Sequence, residues 1–267
     1  MNKAAYPLAQ EMGDFLSARG VSVWLCSAWE GEQAKCQLDG TDLILTVGGD
    51  GTILRAAQVA AARSIPITGI NLGRLGFMTE LSVAEAKDRL PELLAGGGWL
   101  DERAMLDAEL RAQDKEPPSV FCVLNDVVVA RGEIARMIRV EAQIDGEPLT
   151  TYKADGVIVA TATGSTGYSL SAGGPILHPQ AGEFLLLPIL PHLSSAYTLV
   201  LPAAVMVRLG ISAAHQATLS LDGHINLPLS ARATLMVRRS AHKTRFLRIH
   251  PETSFYGSLE RRLKGKR

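Results

Sequence analysis

The chain has no excess of either charge: 27 lysines and arginines stand against 27 aspartates and glutamates, for a formal net charge of zero. A protein that grips nucleic acid through its phosphates needs a basic surplus, so a nucleic-acid partner is not expected. Cysteine is scarce. Cys26, Cys36 and Cys122 make an odd count of 3 with no metal-like spacing, which disfavours a disulfide framework and points to a reducing compartment. Long hydrophobic runs are missing. The most apolar short stretch, Phe184 to Leu190, is too short to span a bilayer and carries Pro188. No secretory signal opens the chain. Internal repeats, low-complexity tracts, a Walker loop, a Gly-x-Ser-x-Gly elbow and a His-Glu-x-x-His pair are also absent. The expectation is a soluble, cytoplasmic protein without a membrane partner. The basic tail from Arg261 to Arg267 reads as a solvated terminus.

What is present is a chain of 267 residues, 47% of them hydrophobic, enough for one large core or two ordinary ones. The stretch Leu43 to Val47 is apolar and β-branched and reads as a buried strand. Gly48-Gly49-Asp50-Gly51 follows it, and Thr52 onward has helical spacing. A strand, a glycine turn and a helix place bare backbone N–H groups where phosphate oxygens can be held. A carboxylate would repel phosphate, so Asp50 fits either a proton acceptor for an attacking hydroxyl or a metal-holding group. The plain alternative is a tight turn with Asp50 as a helix N-cap.

Around this stretch, residues 1–99 alternate helix and strand. Leu8, Met12, Phe15 and Leu16 predict a helix, Val21 to Leu25 a strand, and Ile65 to Ile70 another strand. Ser82-Val83-Ala84-Glu85 predicts a capping box, and Pro91 predicts a kink or a second helix. This is the pattern of an open, Rossmann-like α/β sheet. Gly96-Gly97-Gly98 marks a boundary. From residue 100 to 245 the texture is mostly β, and a β-sandwich is expected. Its runs include Ala104 to Leu110, Val120 to Ala130, Met137 to Ile144, Leu149 to Lys153, Val157 to Ala160, Val205 to Leu209, Thr218 to Leu221 and Ala233 to Val237. Asp145-Gly146 reads as a hairpin turn, and Asp222-Gly223-His224 as another. Asn125-Asp126 interrupts an apolar run, where paired polar groups need partners or a ligand. Thr163 to Pro175 alternates small hydroxyl residues with glycines around Tyr168 and lets backbone approach a ligand closely. His178 and His192 read as structural loop histidines.

Together these motifs make the chain resemble the NAD kinase family. The residues that carry the likeness are Gly48-Gly49-Asp50-Gly51-Thr52, Asn71 to Phe77, Leu124-Asn125-Asp126, Asp155-Gly156, Thr163 to Tyr168 and Gly173 to Pro179, in that order. The resemblance implies an α/β domain, a β-sandwich domain, and a segment from residue 246 to 267 returning to the first. It implies phosphoryl transfer from ATP or polyphosphate to the 2′-hydroxyl of the adenosine ribose of NAD, with a divalent metal, Mg²⁺ above all, in a homodimer or homotetramer. It makes Asp50 the proton acceptor and gives the donor phosphates to Gly48, Gly49, Gly51 and Thr52. NAD would be held by Asp50, Gly51, Arg55, Asn125, Asp126, Arg136, Lys153, Asp155, Thr163, Thr166, Gly167, Tyr168, Ser169, Leu170 and Ser171. Metal ligands stay unassigned. Asp126 stands where many relatives carry Glu, and His224 where Gln often follows Asp-Gly. The family usually opens with a strand before the first helix, whereas this chain starts almost at the helix; a start site placed too late is one hypothesis for that departure. A lipid kinase sharing only Gly48 to Thr52 and a non-catalytic NAD(P)-binding regulator remain as alternatives.

Overall fold

The computed structural model describes residues 4–73, 76–112, 115–132, 137–192, 197–212, 216–252 and 254–264. The chain divides into one unit of residues 1–102 with 244–267 and another of residues 103–243. It passes between them inside two long strands.

The first unit begins with α1 (Ala5–Ser17) and the short α2 (Gly31–Cys36). Then come β1 (Ile44–Val47), α3 (Asp50–Ala60), β2 (Ile67–Asn71), β3 (Leu81–Ser82) and α4 (Val83–Leu94). β1 and β2 pair in parallel from Ile44↔Ile67 to Val47↔Ile70, and β3 continues the parallel set at Ile70↔Leu81. A central parallel strand is covered on both faces, and β2 accordingly has every residue buried. Leu8 and Met12 of α1 and Ala86, Leu90 and Leu93 of α4 pack with Ile70 and Leu81 into one core. The helical spacing of these residues is what brings them to a single face. Ser82 Oγ accepts from the Glu85 N–H at 3.3 Å, and Glu85 returns the bond to the Ser82 N–H at 2.9 Å, so the expected capping box forms. Pro91 neither ends α4 nor starts a new helix; it lies inside it, and its carbonyl accepts from Ala95 at 3.0 Å.

Val21 to Leu25 is not the expected strand. Its residues have no ladder pairing, Val23 and Leu25 are exposed, and β1 ends the order of its sheet. A strand needs a neighbouring edge to complete its hydrogen bonds, whatever its side chains.

β4 (Trp99–Ala112) carries the chain into the second unit. There it forms β5 (Lys115–Val123), β6 (Asp126–Arg131), β7 (Ile138–Ile144), β8 (Glu147–Ala154) and β9 (Gly156–Thr161). After the short α5 (Tyr168–Ser171) come β10 (Phe184–Ile189), β11 (Leu199–Leu201), β12 (Met206–Ser212), β13 (Ala217–Leu221), β14 (Ile225–Leu229) and β15 (Thr234–Arg248). One antiparallel sheet runs β11-β10-β9-β6-β13-β14. In the other, β12 lies between β15 and β7, and β8 follows β7. Val127, Val159, Leu186 and Leu219 of the first share a core with Val140, Leu209 and Val237 of the second. That shared core is the sandwich the alternating runs anticipate. The opposite side of β9 and β10 is also covered, with Ile158, Leu185 and Leu187 packed against Ala172 and Leu177. Burial on both faces explains the unbroken apolar run of β10.

Two boundaries differ from expectation. The run Val120 to Ala130 is two strands, because the chain leaves the ladder with β4 and enters the ladder with β9 and β13 at Leu124-Asn125. β15 extends well past Val237, through a charged stretch whose buried positions are too sparse to show a two-residue period in sequence. It crosses back to the first unit and pairs there at Phe246↔Ile67, before α6 (Ser254–Lys264). Among the described residues, no helix is long and apolar enough to cross a membrane.

Ser82→Ala removes the side-chain acceptor of the capping box. It should destabilise the protein by about 1 kcal/mol, read as a lower urea midpoint, while Thr→Ser changes on exposed loops leave that midpoint in place.

Candidate active site

In the first unit, β1 runs into Gly48, whose N–H still bonds to Ile70 O at 2.9 Å. A Cβ on Gly48 would lie 2.3 Å from Thr52 Oγ1, so the turn closes too tightly for any side chain. Gly49 is the N-cap of α3, and no side chain caps the helix. Asp50 is therefore not the N-cap of the plain reading. It is the first helical residue, and its carboxylate reaches across to the loop after β2. Oδ2 accepts the Phe77 N–H at 2.8 Å and Oδ1 the Met78 N–H at 3.1 Å. Gly76 must lack a side chain, since its Cβ would fall 2.2 Å from Asp50 Oδ1. By contrast, a Cβ on Gly49 or Gly51 would meet no atom within 4 Å, so both present open backbone.

The loop is braced from within. Asn71 Oδ1 accepts the Gly73 N–H at 2.7 Å, and Thr79 Oγ1 accepts from both Asn71 Nδ2 and the Gly76 N–H at 3.1 Å. It is also braced by the returning C-terminal segment. Buried Glu80 accepts the Ile249 and His250 N–H groups, each at 2.8 Å, and Arg248 Nη1 donates to Met78 O at 2.7 Å. The guanidinium of Arg55 stacks on the Trp29 ring, 3.6 Å from its centroid.

In the second unit, the sheet switch sets Asn125 and Asp126 at the head of β6. They are held by a residue that sequence reasoning passed over as a plain turn. Asp222 and Gly223 both have positive φ, at 50° and 67°, in the hairpin joining β13 to β14. The buried Asp222 carboxylate accepts the N–H groups of Leu124 at 3.1 Å, Asn125 at 2.6 Å and Asp126 at 3.3 Å. Burial raises its proton affinity, and these donors oppose the rise. The Asp126 carboxyl is pushed up to about 7, chiefly by burial and secondly by the Asp222 charge, against a stabilising Tyr168 N–H.

The Thr163 to Ser171 loop meets the same corner. A Cβ on Gly164 would lie 2.0 Å from Asn125 O, and one on Gly167 would lie 3.7 Å from Asn125 Nδ2 and 3.8 Å from Asp126 Oδ2. The Thr166 hydroxyl is spent on Thr163 O at 3.1 Å, and Ser165 Oγ bridges Ala162 O and Leu177 N. Thr163 Oγ1 accepts weakly from Arg103 at 3.5 Å. At this corner, Asn125 Oδ1 and Ser169 Oγ are buried with no partner among the described residues. The Tyr168 ring is half exposed, Leu170 partly buried and Ser171 exposed.

Not every sequence-proposed residue gathers at this corner. Asp126 is opposite Ala160 and Ala130 opposite Gly156, so Asp155 lies at the other end of β6 and β9, five positions or roughly 16 Å along the strand. There it pairs with Arg131 at 3.1 Å. Lys153 is exposed on β8, opposite Arg139. Arg136 lies outside the described residues. No group of three or more His, Cys, Asp or Glu side chains among the described residues is arranged to hold a metal ion. The carboxylate beside the open glycines is Asp50, which keeps lone pairs beyond those it gives to Phe77 and Met78.

The chain matches the ATP-NAD kinase N-terminal domain over residues 2–98 and the ATP-NAD kinase C-terminal domain over residues 124–249. It is 49% identical to an NAD kinase of Dehalococcoides mccartyi, over 99% of this chain and 93% of that one. It is 38% identical to an NAD kinase of Chloroflexus aggregans, over 99% and 95%. Among solved structures, an Archaeoglobus fulgidus NAD kinase in complex with ATP superposes with a TM-score of 0.79 at 26% identity, over 97% of this chain and 95% of the other. A yeast NADH kinase complexed with NADH superposes with a TM-score of 0.76 at 32% identity, over 82% and 65%. With an open glycine cradle, a clamped aspartate and matches that span both units, the chain belongs to the NAD kinase family.

Proposed function

We propose that this protein is an NAD kinase that phosphorylates the 2′-hydroxyl of the adenosine ribose of NAD and releases NADP. The observation that carries the reading is the Gly48–Gly51 turn, open at Gly49 and Gly51, with an aspartate whose two oxygens are oriented by backbone N–H groups. The family matches extend far beyond Gly48 to Thr52 and leave the lipid-kinase reading without support. Relatives named as NAD kinases over almost the full length do the same for a non-catalytic regulator.

The donor is ATP or another phosphoryl donor such as polyphosphate, its phosphates resting on the open backbone at Gly49 and Gly51; of the four residues expected to hold them, Gly48 and Thr52 instead spend their N–H groups on Ile70 O and Gly49 O, each at 2.9 Å. NAD is taken up by Asn125 and Asp126 through ribose hydroxyls, with Asn125 Oδ1 offering an unspent acceptor. Thr163, Thr166, Gly167, Tyr168, Ser169, Leu170 and Ser171 form the wall beside them, and Arg55, Arg136, Lys153 and Asp155 complete the nucleotide contacts. Asp50 accepts the proton of the 2′-hydroxyl as its oxygen bonds to the terminal phosphorus, and the bond from phosphorus to the donor's bridging oxygen breaks. With ATP, the products are NADP and ADP. When bound with the donor, a divalent cation such as Mg²⁺ would neutralise the phosphate charge, and Asp50 is the residue beside the open glycines that would help hold it. The reduced cysteines Cys26, Cys36 and Cys122 fit a cytoplasmic setting, and a homodimer or homotetramer is part of the same reading.

Purified protein with NAD, ATP and MgCl₂ should form NADP, read by an NADP-specific dehydrogenase. Asp50→Asn should lower turnover by about 10²–10⁴-fold. An Asp50→Asn enzyme as fast as wild type would remove Asp50 from the proton transfer. No NADP from ATP or polyphosphate would overturn the kinase reading.

The raised carboxyl of Asp126 sets a pH dependence. Its folded-state value of about 7 lies above the ordinary 3.8. Folding is therefore favoured by this group at low pH, and that stability is lost as pH rises from about 4 to about 7. Asp126→Asn cannot ionise. The unfolding free energy of wild type minus that of Asp126→Asn, from urea melts at each pH, should fall across this window by on the order of a few kcal/mol at most. Parallel pH profiles for the two proteins would contradict it.

A further inference from the structure

α6 brings Arg262 to the loop that holds Asp50. Its Nη1 donates to Gly76 O at 2.6 Å, and its guanidinium carbon lies 5.9 Å from the Phe77 ring centroid. Its Nε is buried with no partner among the described residues. Gly76 directly precedes Phe77, so the carbonyl that Arg262 grips and the N–H that donates to Asp50 Oδ2 at 2.8 Å belong to one peptide group. A peptide group is planar and rigid. Fixing its oxygen at one end therefore aims its N–H at the other. A cation on the oxygen also polarises the amide and strengthens the N–H as a donor.

We infer that Arg262 is a positioning residue for Asp50, acting through the Gly76–Phe77 peptide. The inference rests on the proposed role of Asp50 as proton acceptor.

Two further observations separate this arrangement from a mere helix anchor. The side chain is part-buried, with its Nε fully covered, although α6 has an exposed face on which an arginine could be solvated. Burial and then the Arg248 charge push its pKa down, and the charges of Asp50 and Glu80 oppose them. Arg248 grips the same loop at the neighbouring Met78 carbonyl, but that oxygen belongs to the peptide after Met78, not to either of the N–H groups on Asp50. Arg262 alone of the two shares a peptide group with an Asp50 donor.

The test compares wild type, Arg262→Ala and Arg262→Lys in steady-state kinetics, with millimolar guanidinium added back. Hydrogen exchange is followed at the Phe77 and Met78 amides. Arg262→Ala should lower kcat by about 10–100-fold with KM for NAD and ATP within about twofold. Guanidinium should restore part of that loss, and it should not help Asp50→Asn. Arg262→Lys, which can still donate to the Gly76 carbonyl, should fall between the two. The Phe77 amide should exchange faster in Arg262→Ala while core amides of β2 keep their protection. A folded Arg262→Ala enzyme with wild-type kcat would overturn the inference, as would a loss of activity matched by unfolding and unrelieved by guanidinium. Should wild type make no NADP, the kinase reading fails by itself, and exchange then decides: unchanged Phe77 protection in Arg262→Ala overturns the positioning role.

Discussion

The carboxylate of Asp50, bonded through both oxygens to the backbone of Phe77 and Met78, is the contact that ties the start of α3 to the loop after β2. A carboxylate at a helix start could have turned inward to cap its own helix, and a free one could swing among rotamers. Two N–H donors aimed at its two oxygens remove both options. Each charge-assisted bond of this type contributes about 1.5–3 kcal/mol, which exceeds the rotamer entropy a short side chain loses. The acid is thus fixed beside the open glycines without a second side chain being spent on it.

The same device recurs. Asp222 grips three consecutive N–H groups at the sheet switch, and Glu80 grips those of Ile249 and His250 where the chain returns to the first unit. In each case a carboxylate from one element satisfies backbone donors of a segment far away in sequence. Irregular backbone cannot complete its hydrogen bonds in a ladder, and a buried unmet N–H is costly. An acid with two acceptor oxygens meets several such donors at once. The cost is desolvation, visible in the raised carboxyl of Asp126 beside Asp222. Glu80 offsets that cost differently, with Arg248 at 3.1 Å and His250 Nδ1 at 3.0 Å.

Glycine serves a complementary purpose. At Gly76 and Gly164 it admits an acid or a carbonyl to within a distance that any Cβ would occupy. At Gly49 and Gly51 it leaves the backbone bare toward open space. The first kind makes the site rigid, and the second leaves room for a ligand. Their sequence signatures are identical, which is why the glycines after β1 read equally well as a tight turn.

The sequence by itself determined the two-part texture, the capping box at Ser82, the hairpin turns at Asp145 and Asp222, and the order of motifs that marks the family. These rest on local periodicity, local turn chemistry and residue identity, all of which are written in contiguous stretches. Only the tertiary structure decided that Val21 to Leu25 finds no ladder, that Val120 to Ala130 changes sheets at Leu124-Asn125, and that Asp155 lies a strand's length from Asp126. It alone showed which backbone groups Asp50 and Asp222 hold, since those partners lie 27 and about 97 residues away in the chain. Such contacts follow from where strands and loops meet in space, and no local pattern encodes the direction in which a carboxylate will point.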